Sequence, residues 1–352
     1  MMLVCSYVTQ KNAVSRIRIF NPYGMLEETD KDFYYYDIPG IPPAKETMSQ
    51  MGAILFRGFM GESTAKLAKW IKASYPRCRT ILDNDDLVWG GELPDYNFFN
   101  PMYPNTEAKR REMAVWMKTM DFHTFSTEYL RARAICDFGI DPRRTLVVPN
   151  AVSKSDWYRD GRVEKDIEVP KVLYMASDTH YSNTKKDLGD WTENLVDWVC
   201  DSVKDGKIEF VCVGGFPWFF EGIKDRIKHV GWLPYYKLPL VLKEIGAHFS
   251  INPLRENTFN RAKSDIKLVE SAACGMVCVG TEFHGSPYSS CLARIRPKST
   301  KKEIGKLIFG LCKEKTFNKT LDKQLSWIET EGRWLDSAKH LDLLRRAVGL
   351  KT

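Results

Sequence analysis

The chain has 352 residues, 43% hydrophobic and 28% charged, an ordinary globular balance with room for two separately cored domains, which excludes a disordered or fibrous chain. No stretch approaches the roughly 20 apolar residues of a membrane helix, and the opening MMLVCSYVTQ lacks the charged start and cleavage site of a signal peptide, so a cytoplasmic protein without an integral membrane segment is expected. The net charge of +7 is local: between Arg294 and Lys323 ten Lys/Arg stand against three Asp/Glu, whereas the first 150 residues carry 19 basic and 18 acidic side chains.

In chain order, apolar strand-like runs alternate with helical patterns. MLVCSYV, DFYYYDI, GAILFRG, RTILDND, HTFST and RTLVVPN read as strands, and ESTAKLAKWIKASY and TEAKRREMAVWMKTM repeat their apolar residues at helical spacing. This is the βα alternation of a parallel sheet. A polar stretch, SKSDWYRDGRVEKDIEVP, follows, and then the alternation restarts with KVLYMAS, IEFVCVGG, IKHVGW, GAHFSINP and MVCVGT. The reading is α/β, with two Rossmann-like doubly wound domains facing an interdomain cleft: residues 1–152, residues 153–320, and C-terminal helices over 321–352 that pack back on the first domain.

The nine cysteines are scattered and form no C-x-x-C pair, so neither a disulfide framework nor zinc is indicated. Cys274 and Cys278 read as small packing residues. Of the histidines near strand ends, His123 reads as structural and His180, after Ser-Asp-Thr, as a sugar or phosphate contact.

The stretch NRAKSDIKLVESAACG, residues 260–275, reads as a helix capped by Ser264, with Ile266, Val269 and Ala273 on its packed side. Lys263, Lys267 and Glu270 share another side. Lysines are mildly disfavoured at a helix N-terminus, so a phosphate is expected there, with Glu270 two turns in to accept ribose hydroxyls. The competing reading is an ordinary Lys267–Glu270 surface ion pair, worth under about 1 kcal/mol.

SINPLRENTFNRAKSDIKLVESAACGMVCVGT resembles the donor-site segment of retaining GT-B glycosyltransferases of the group 1, or family 4, class. Phe259, Asn260, Lys263, Ser264, Lys267, Glu270 and Gly275 match the pattern of one branch. TILDNDDLVW, FSTEYL, LVVPNAVSKSDW and HVGWLPYYKLPLVL resemble further family elements in the family's order, over about residues 80–285.

The resemblance implies a UDP- or GDP-sugar as co-substrate, with no other cofactor and no obligatory metal, and retention of anomeric configuration. Glu270 would bind the ribose and Lys263 and Ser264 the diphosphate. Lys267 and Trp232 join the donor set. Relatives carry an Arg and a Lys on the first loop of the second domain; here that loop, MASDTHYSNTKKDLGDW, offers Thr179, His180 and either Lys185 or Lys186. The glutamate that relatives place near the sugar is replaced by Ala262. Asp85 and Asp86 are expected to face the cleft as catalytic carboxylates that orient the acceptor or support the sugar. They read otherwise as loop and cap residues.

Acceptor contacts are expected from Arg16 and Arg18 and from the aromatic loop that begins at Trp89. The basic tract points to double-stranded DNA as acceptor, a hydroxymethylated pyrimidine in a phage DNA-modifying member. The alternative is a bacterial surface polysaccharide or glycolipid. A catalytically silent nucleotide- or nucleic-acid-binding module is the reading from another class, prompted by Ala262. A dehydrogenase is set aside, because the first strand runs into VTQKNAVS rather than a G-x-G-x-x-G turn.

Overall fold

The computed structural model describes residues 2–8, 12–38, 49–57, 62–103, 105–181 and 186–350. Two six-stranded, wholly parallel sheets organise them. The first runs in the order β2-β1-β3-β4-β5-β6, with β1 Met2–Val8, β2 Phe33–Ile38, β3 Met51–Arg57, β4 Arg79–Asn84, β5 Phe122–Phe125 and β6 Thr145–Val147. The second runs β12-β11-β10-β7-β8-β9, with β7 Lys171–Ala176, β8 Glu209–Gly214, β9 Lys228–Val230, β10 Phe249–Asn252, β11 Val277–Thr281 and β12 Ala293–Ile295. Both orders reverse once, between β1 and β3 and between β7 and β10. The loops that leave a parallel sheet at such a reversal diverge and open a crevice.

Helices cover both faces of each sheet, as near-continuous apolar strands require. On the first sheet these are α1 Asn21–Thr29, α2 Glu62–Ser74, α3 Glu107–Thr119 and α4 Glu128–Phe138. On the second they are α5 Glu193–Lys204, α6 Leu238–Ile245, α7 Thr258–Ala262, α8 Ile266–Ala273, α9 Lys301–Leu311 and α10 Glu314–Thr330. The last helix, α11 Ala338–Val348, crosses back: Leu341, Leu344 and Ala347 join Val4, Leu55 and Ile81 in a core on one face of the first sheet. The crossing is pinned at residue 152, where Val152 N–H donates to Arg333 O and Leu335 N–H to Val152 O.

The helix expected to be capped by Ser264 is α8, one residue later, with Asp265 in the N-cap position; a separate short helix, α7, precedes it and Lys263 to Asp265 lie between the two. The serine hydroxyl is engaged elsewhere: Ser264 Oγ accepts from Asn150 Nδ2 at 2.7 Å. The stripe of Val269 and Ala273 is buried as the spacing implies. Phe259 and Ala262 of α7 pack into the core of the first domain, with Leu87, Trp89 and Leu130.

Gly275 ends α8 with φ of +74°, and a Cβ there would lie 2.5 Å from the Gly161 Cα. The glycine of the donor-segment pattern is therefore demanded by backbone crossing. Gly275→Ala is expected to cost about 2–4 kcal/mol in urea unfolding, from left-handed strain plus the clash; a loss below about 0.5 kcal/mol would mean that the two loops separate freely.

Candidate functional site

The C-terminal ends of the two sheets meet at a cavity of about 300 Å3. Arg57, Asp85 and Asp86 line it from the first domain, and Ser177, Thr179 and Lys263 from the second. The first-domain wall grows from the end of β4. Asp83 is buried and accepts from Arg18 Nη2 at 2.6 Å and from Thr124 Oγ1 at 2.7 Å, with Arg57 Nη1 at 3.4 Å. Arg57 also reaches Asp85 through Nη2 at 2.7 Å. Burial opposes ionisation of Asp83, but the two guanidiniums overcome it and hold the carboxyl below its usual range.

Arg18 corrects an expectation. The chain turns wide over Arg16–Phe20 as a π-helical segment, and Ile17, Arg18 and Ile19 all face inward. The Arg18 guanidinium is consumed by Asp83, by Asn150 Oδ1 at 2.9 Å and by the Val148 carbonyl, so it cannot reach an acceptor. Arg16 stays exposed and lies over the ring of Tyr236, a second-domain residue, at 5.5 Å. Trp89 is likewise no free stacking platform. It is buried, packs at 5.4 Å on Phe138 and donates Nε1–H to Asp137 at 2.8 Å, so it forms fixed wall.

Asp86 differs from its neighbours. No arginine pairs with it directly among the described residues. Burial and the adjacent Asp85 charge push its carboxyl up to about 6, against the opposing pull of Lys263 and Arg57. A carboxylate of that strength at a cavity wall makes a better proton acceptor than an ordinary aspartate. Among the described residues no group of three His, Cys, Asp or Glu could hold a metal ion.

On the second-domain wall, Lys263 is half-buried, over the Phe259 ring at 5.0 Å, with no carboxylate at ion-pair distance among the described residues. Beside it, α8 begins without a side-chain cap; Leu268 N–H turns back to the Asp265 carbonyl at 2.8 Å, which leaves the N–H groups of Ile266 and Lys267 open among the described residues. Glu270 is not on the cavity surface. Its carboxylate is buried, with Oε2 accepting from Lys267 Nζ and Oε1 from the Tyr235 hydroxyl, each at 3.2 Å. The Lys267–Glu270 pair exists, but as a covered acid under a half-exposed lysine rather than a surface pair.

The loop after β7 carries His180, whose Nδ1 meets Asp190 Oδ2 at 2.8 Å. Lys186 is exposed and lines no described cavity; Lys185 lies outside the described residues. Trp232 is 67% exposed and borders a second cavity with Gly214, Gly215 and Asp178. His123, by contrast, is core, with Nε2 against the Met117 carbonyl at 2.9 Å. Ala262 is fully buried at the domain contact, and its carbonyl accepts from Thr127 Oγ1 at 3.0 Å. A glutamate at that position would be buried against the first domain.

No protein-family model and no curated protein matches the sequence. Solved structures do match in shape. HepE of Anabaena, solved with UDP and glucose, superposes at a TM-score of 0.61 with 11% identity, over 99% of this chain and 100% of that one. The lipopolysaccharide outer core galactosyltransferase WaaB gives 0.55 at 12% identity over 99% of each chain. The fold is of the GT-B type. A putative UDP-N-acetylglucosamine 2-epimerase from Listeria monocytogenes also matches, at 0.55 and 12% identity over 98% of this chain and 94% of that one. One GT-B scaffold thus carries more than one chemistry, and the choice rests on the residues.

Several of those residues escape sequence reasoning. Arg57 closes the DNDD wall, Asn150 bridges Arg18 to Ser264, and Arg333 pairs with Asp265 at the start of α8. None has a local signal. The one legible hint was the Pro-Asn-Ala-Val element that contains Asn150, which resembles a family element.

Proposed function

We propose that the protein is a nucleotide-sugar-dependent glycosyltransferase. The observation that carries this reading is Lys263: a half-buried ammonium with no carboxylate at ion-pair distance among the described residues, beside an uncapped helix N-terminus, at a cavity between two Rossmann-like domains. Such a cation is compensated by an anion that arrives, and a diphosphate fits the helix terminus and the two lysines. Trp232, exposed beside the Gly214–Gly215 shelf, is positioned to stack on the nucleobase. Glu270 receives the ribose hydroxyls once Lys267 turns from it to the phosphates.

Breaking the anomeric carbon–oxygen bond builds charge on the diphosphate and oxocarbenium character on the sugar. Lys263 and the α8 N–H groups stabilise the first. Asp86, on the opposite wall, accepts a hydrogen bond from the acceptor hydroxyl. Retention of configuration is implied by the resemblance, with the departing phosphate helping to take the proton.

The acceptor wall presents Asp85 and Asp86, which suits a neutral polyhydroxyl better than the phosphate backbone of duplex DNA. The basic tract does not form one face toward the cleft. Arg294 and Arg296 pair with Glu282, Lys301 with Asp201, and Lys313 with Asp166. Lys315, Lys319 and Lys323 flank Leu292, ahead of the start of β12 and so at the end of the sheet away from the cavity. We therefore favour a surface glycan or glycolipid over a hydroxymethylated DNA base. No described helix is long and apolar enough to cross a membrane.

The test is incubation with a panel of UDP- and GDP-sugars and either glycan or hydroxymethylated DNA acceptors, read by product mass and by the anomeric coupling of the product. Binding of UDP without slow donor hydrolysis or transfer to any acceptor would favour the silent module. Asp86→Asn is expected to lower transfer about 100-fold with UDP affinity unchanged. Because Asp86 must be ionised, turnover falls as pH drops through about 6 in the wild type. A variant that retains full turnover would remove Asp86 from the chemistry.

A further inference from the structure

Asp190 is a fully buried carboxylate that accepts four hydrogen bonds. Its Oδ1 accepts from the Tyr96 hydroxyl at 2.6 Å, from Asn260 Nδ2 at 2.7 Å and from Arg255 N–H at 3.0 Å, while Oδ2 takes His180 Nδ1. Tyr96 belongs to the first domain. It enters a socket on the second, where Asn257 and Asn260 also donate to its hydroxyl at 3.3 and 3.1 Å and Arg255 lies 5.3 Å from its ring. The loop that carries His180 is fixed from below by Gly189, at φ +65°, where a Cβ would come within 2.2 Å of the His180 carbonyl, and by Asp190 N–H donating to that same carbonyl at 2.8 Å. The imidazole is thus held at one nitrogen, while Nε2 has no partner among the described residues and belongs to a side chain 20% exposed, one residue from cavity-lining Thr179.

We propose that Asp190 and Tyr96 are positioning residues that hold His180 by Nδ1 and present its Nε2 to the donor diphosphate, which the ring meets by taking a proton from solvent. This rests on the donor reading above. In the free protein the ring is neutral at pH 7. Burial depresses its basicity, the Lys263 and Lys267 charges depress it further, and the hydrogen bond and charge of Asp190 only partly offset them. Asp190 itself stays ionised: burial opposes this, but His180, Lys263 and Tyr96 outweigh it. Among the described residues Arg255 and Asp187 are further charges near it and pull in opposite directions.

Arrival of the diphosphate anion reverses the balance at Nε2. The proton goes on, Nε2–H donates to a phosphate oxygen, and Nδ1–H stays on Asp190, which compensates the new charge. Where relatives implied by the resemblance use an arginine, permanently charged, this chain uses a cation made on demand. Binding therefore weakens as pH rises.

The experiment is UDP titration calorimetry in buffers of different ionisation enthalpy, with histidine-ring NMR of the full chain, His180 being assigned by its loss in His180→Gln. Wild type is expected to take up about one proton per UDP at pH 7.5. Asp190→Asn keeps an acceptor for Nδ1–H but not the charge, so it should take up none and bind UDP about tenfold more weakly. Adding His180→Gln to it should cost no further affinity. Tyr96→Phe, which strips a donor from Asp190, should raise the ring's basicity in the free protein, whereas Asp190→Asn should lower it.

UDP binding without proton uptake, or undiminished uptake in Asp190→Asn, overturns the proposal. If UDP does not bind at all, the donor reading fails by itself. The free-protein titrations then still decide the positioning role, and a His180 signal that moves in neither variant ends it.

Discussion

Lys263→Met is expected to weaken UDP binding at least about tenfold while leaving the folding free energy unchanged to within about 0.5 kcal/mol. The two halves of that expectation have one cause. Among the described residues the ammonium has no ion pair to lose, and the Phe259 ring at 5.0 Å packs as well against a thioether. Its charge acts on Asp86 and Asp190 only from a distance and closes no ion pair among the described residues, so its main contribution appears when an anion is bound. Two titrations should shift as well. Asp86 loses a cation that restrains its rise above the usual range, so the acid limb of turnover moves upward from about 6. His180 loses a charge that disfavours its own, so its basicity increases.

Lys267→Met makes the contrast. Glu270 is buried beneath that lysine, and an unpaired buried carboxylate costs on the order of 1–3 kcal/mol. Urea unfolding and UDP calorimetry on the two variants separate a lysine that serves binding alone from one that also covers a buried acid. If Lys263→Met proves the destabilised variant and binds UDP normally, the diphosphate is not held where we place it.

Much of the fold is visible in local pattern, and the reasons it stops are also local. Runs such as GAILFR and KVLYMA have no polar position to spare, and only a strand covered on both faces tolerates that. β12 escapes because it is three residues, Ala293–Ile295, with an outward arginine, and so reads as part of a basic tract. Ser264 has the composition of a cap but spends its hydroxyl on Asn150, 114 residues away, and no window on the sequence contains both.

Arg18 sits in RIRIF, where alternation suggests an exposed arginine; the π-helical turn rotates it inward. Lys263, Lys267 and Glu270 were legible because one short segment holds them. Tyr96, Asp190 and His180 were not legible as a set, since an aromatic from one domain and an acid from the other come together only through the packing of the two sheets.

Asp83→Leu is expected to destabilise the protein by about 3–5 kcal/mol, the range for removing one partner from a buried ion cluster. Arg18 would remain with its side chain 2% exposed and no counter-charge, its other contacts being the neutral Asn150 and Val148 carbonyl oxygens. Arg57 would keep Asp85 at 2.7 Å, so the loss falls mainly on Arg18. The double variant Arg18→Met, Asp83→Leu should therefore recover most of the stability, because it removes charge and counter-charge together.

The pH dependence points the same way. Asp83's folded carboxyl lies below its unfolded value near 3.8, so its contribution is complete above that value and is lost as pH falls through the folded one. A surface-type pair would show under about 1 kcal/mol in the single variant and no recovery in the double. That outcome would also undo the division of labour assigned to DNDD, in which Asp83 is spent on structure and Asp86, unpaired by any arginine among the described residues, is left for the acceptor.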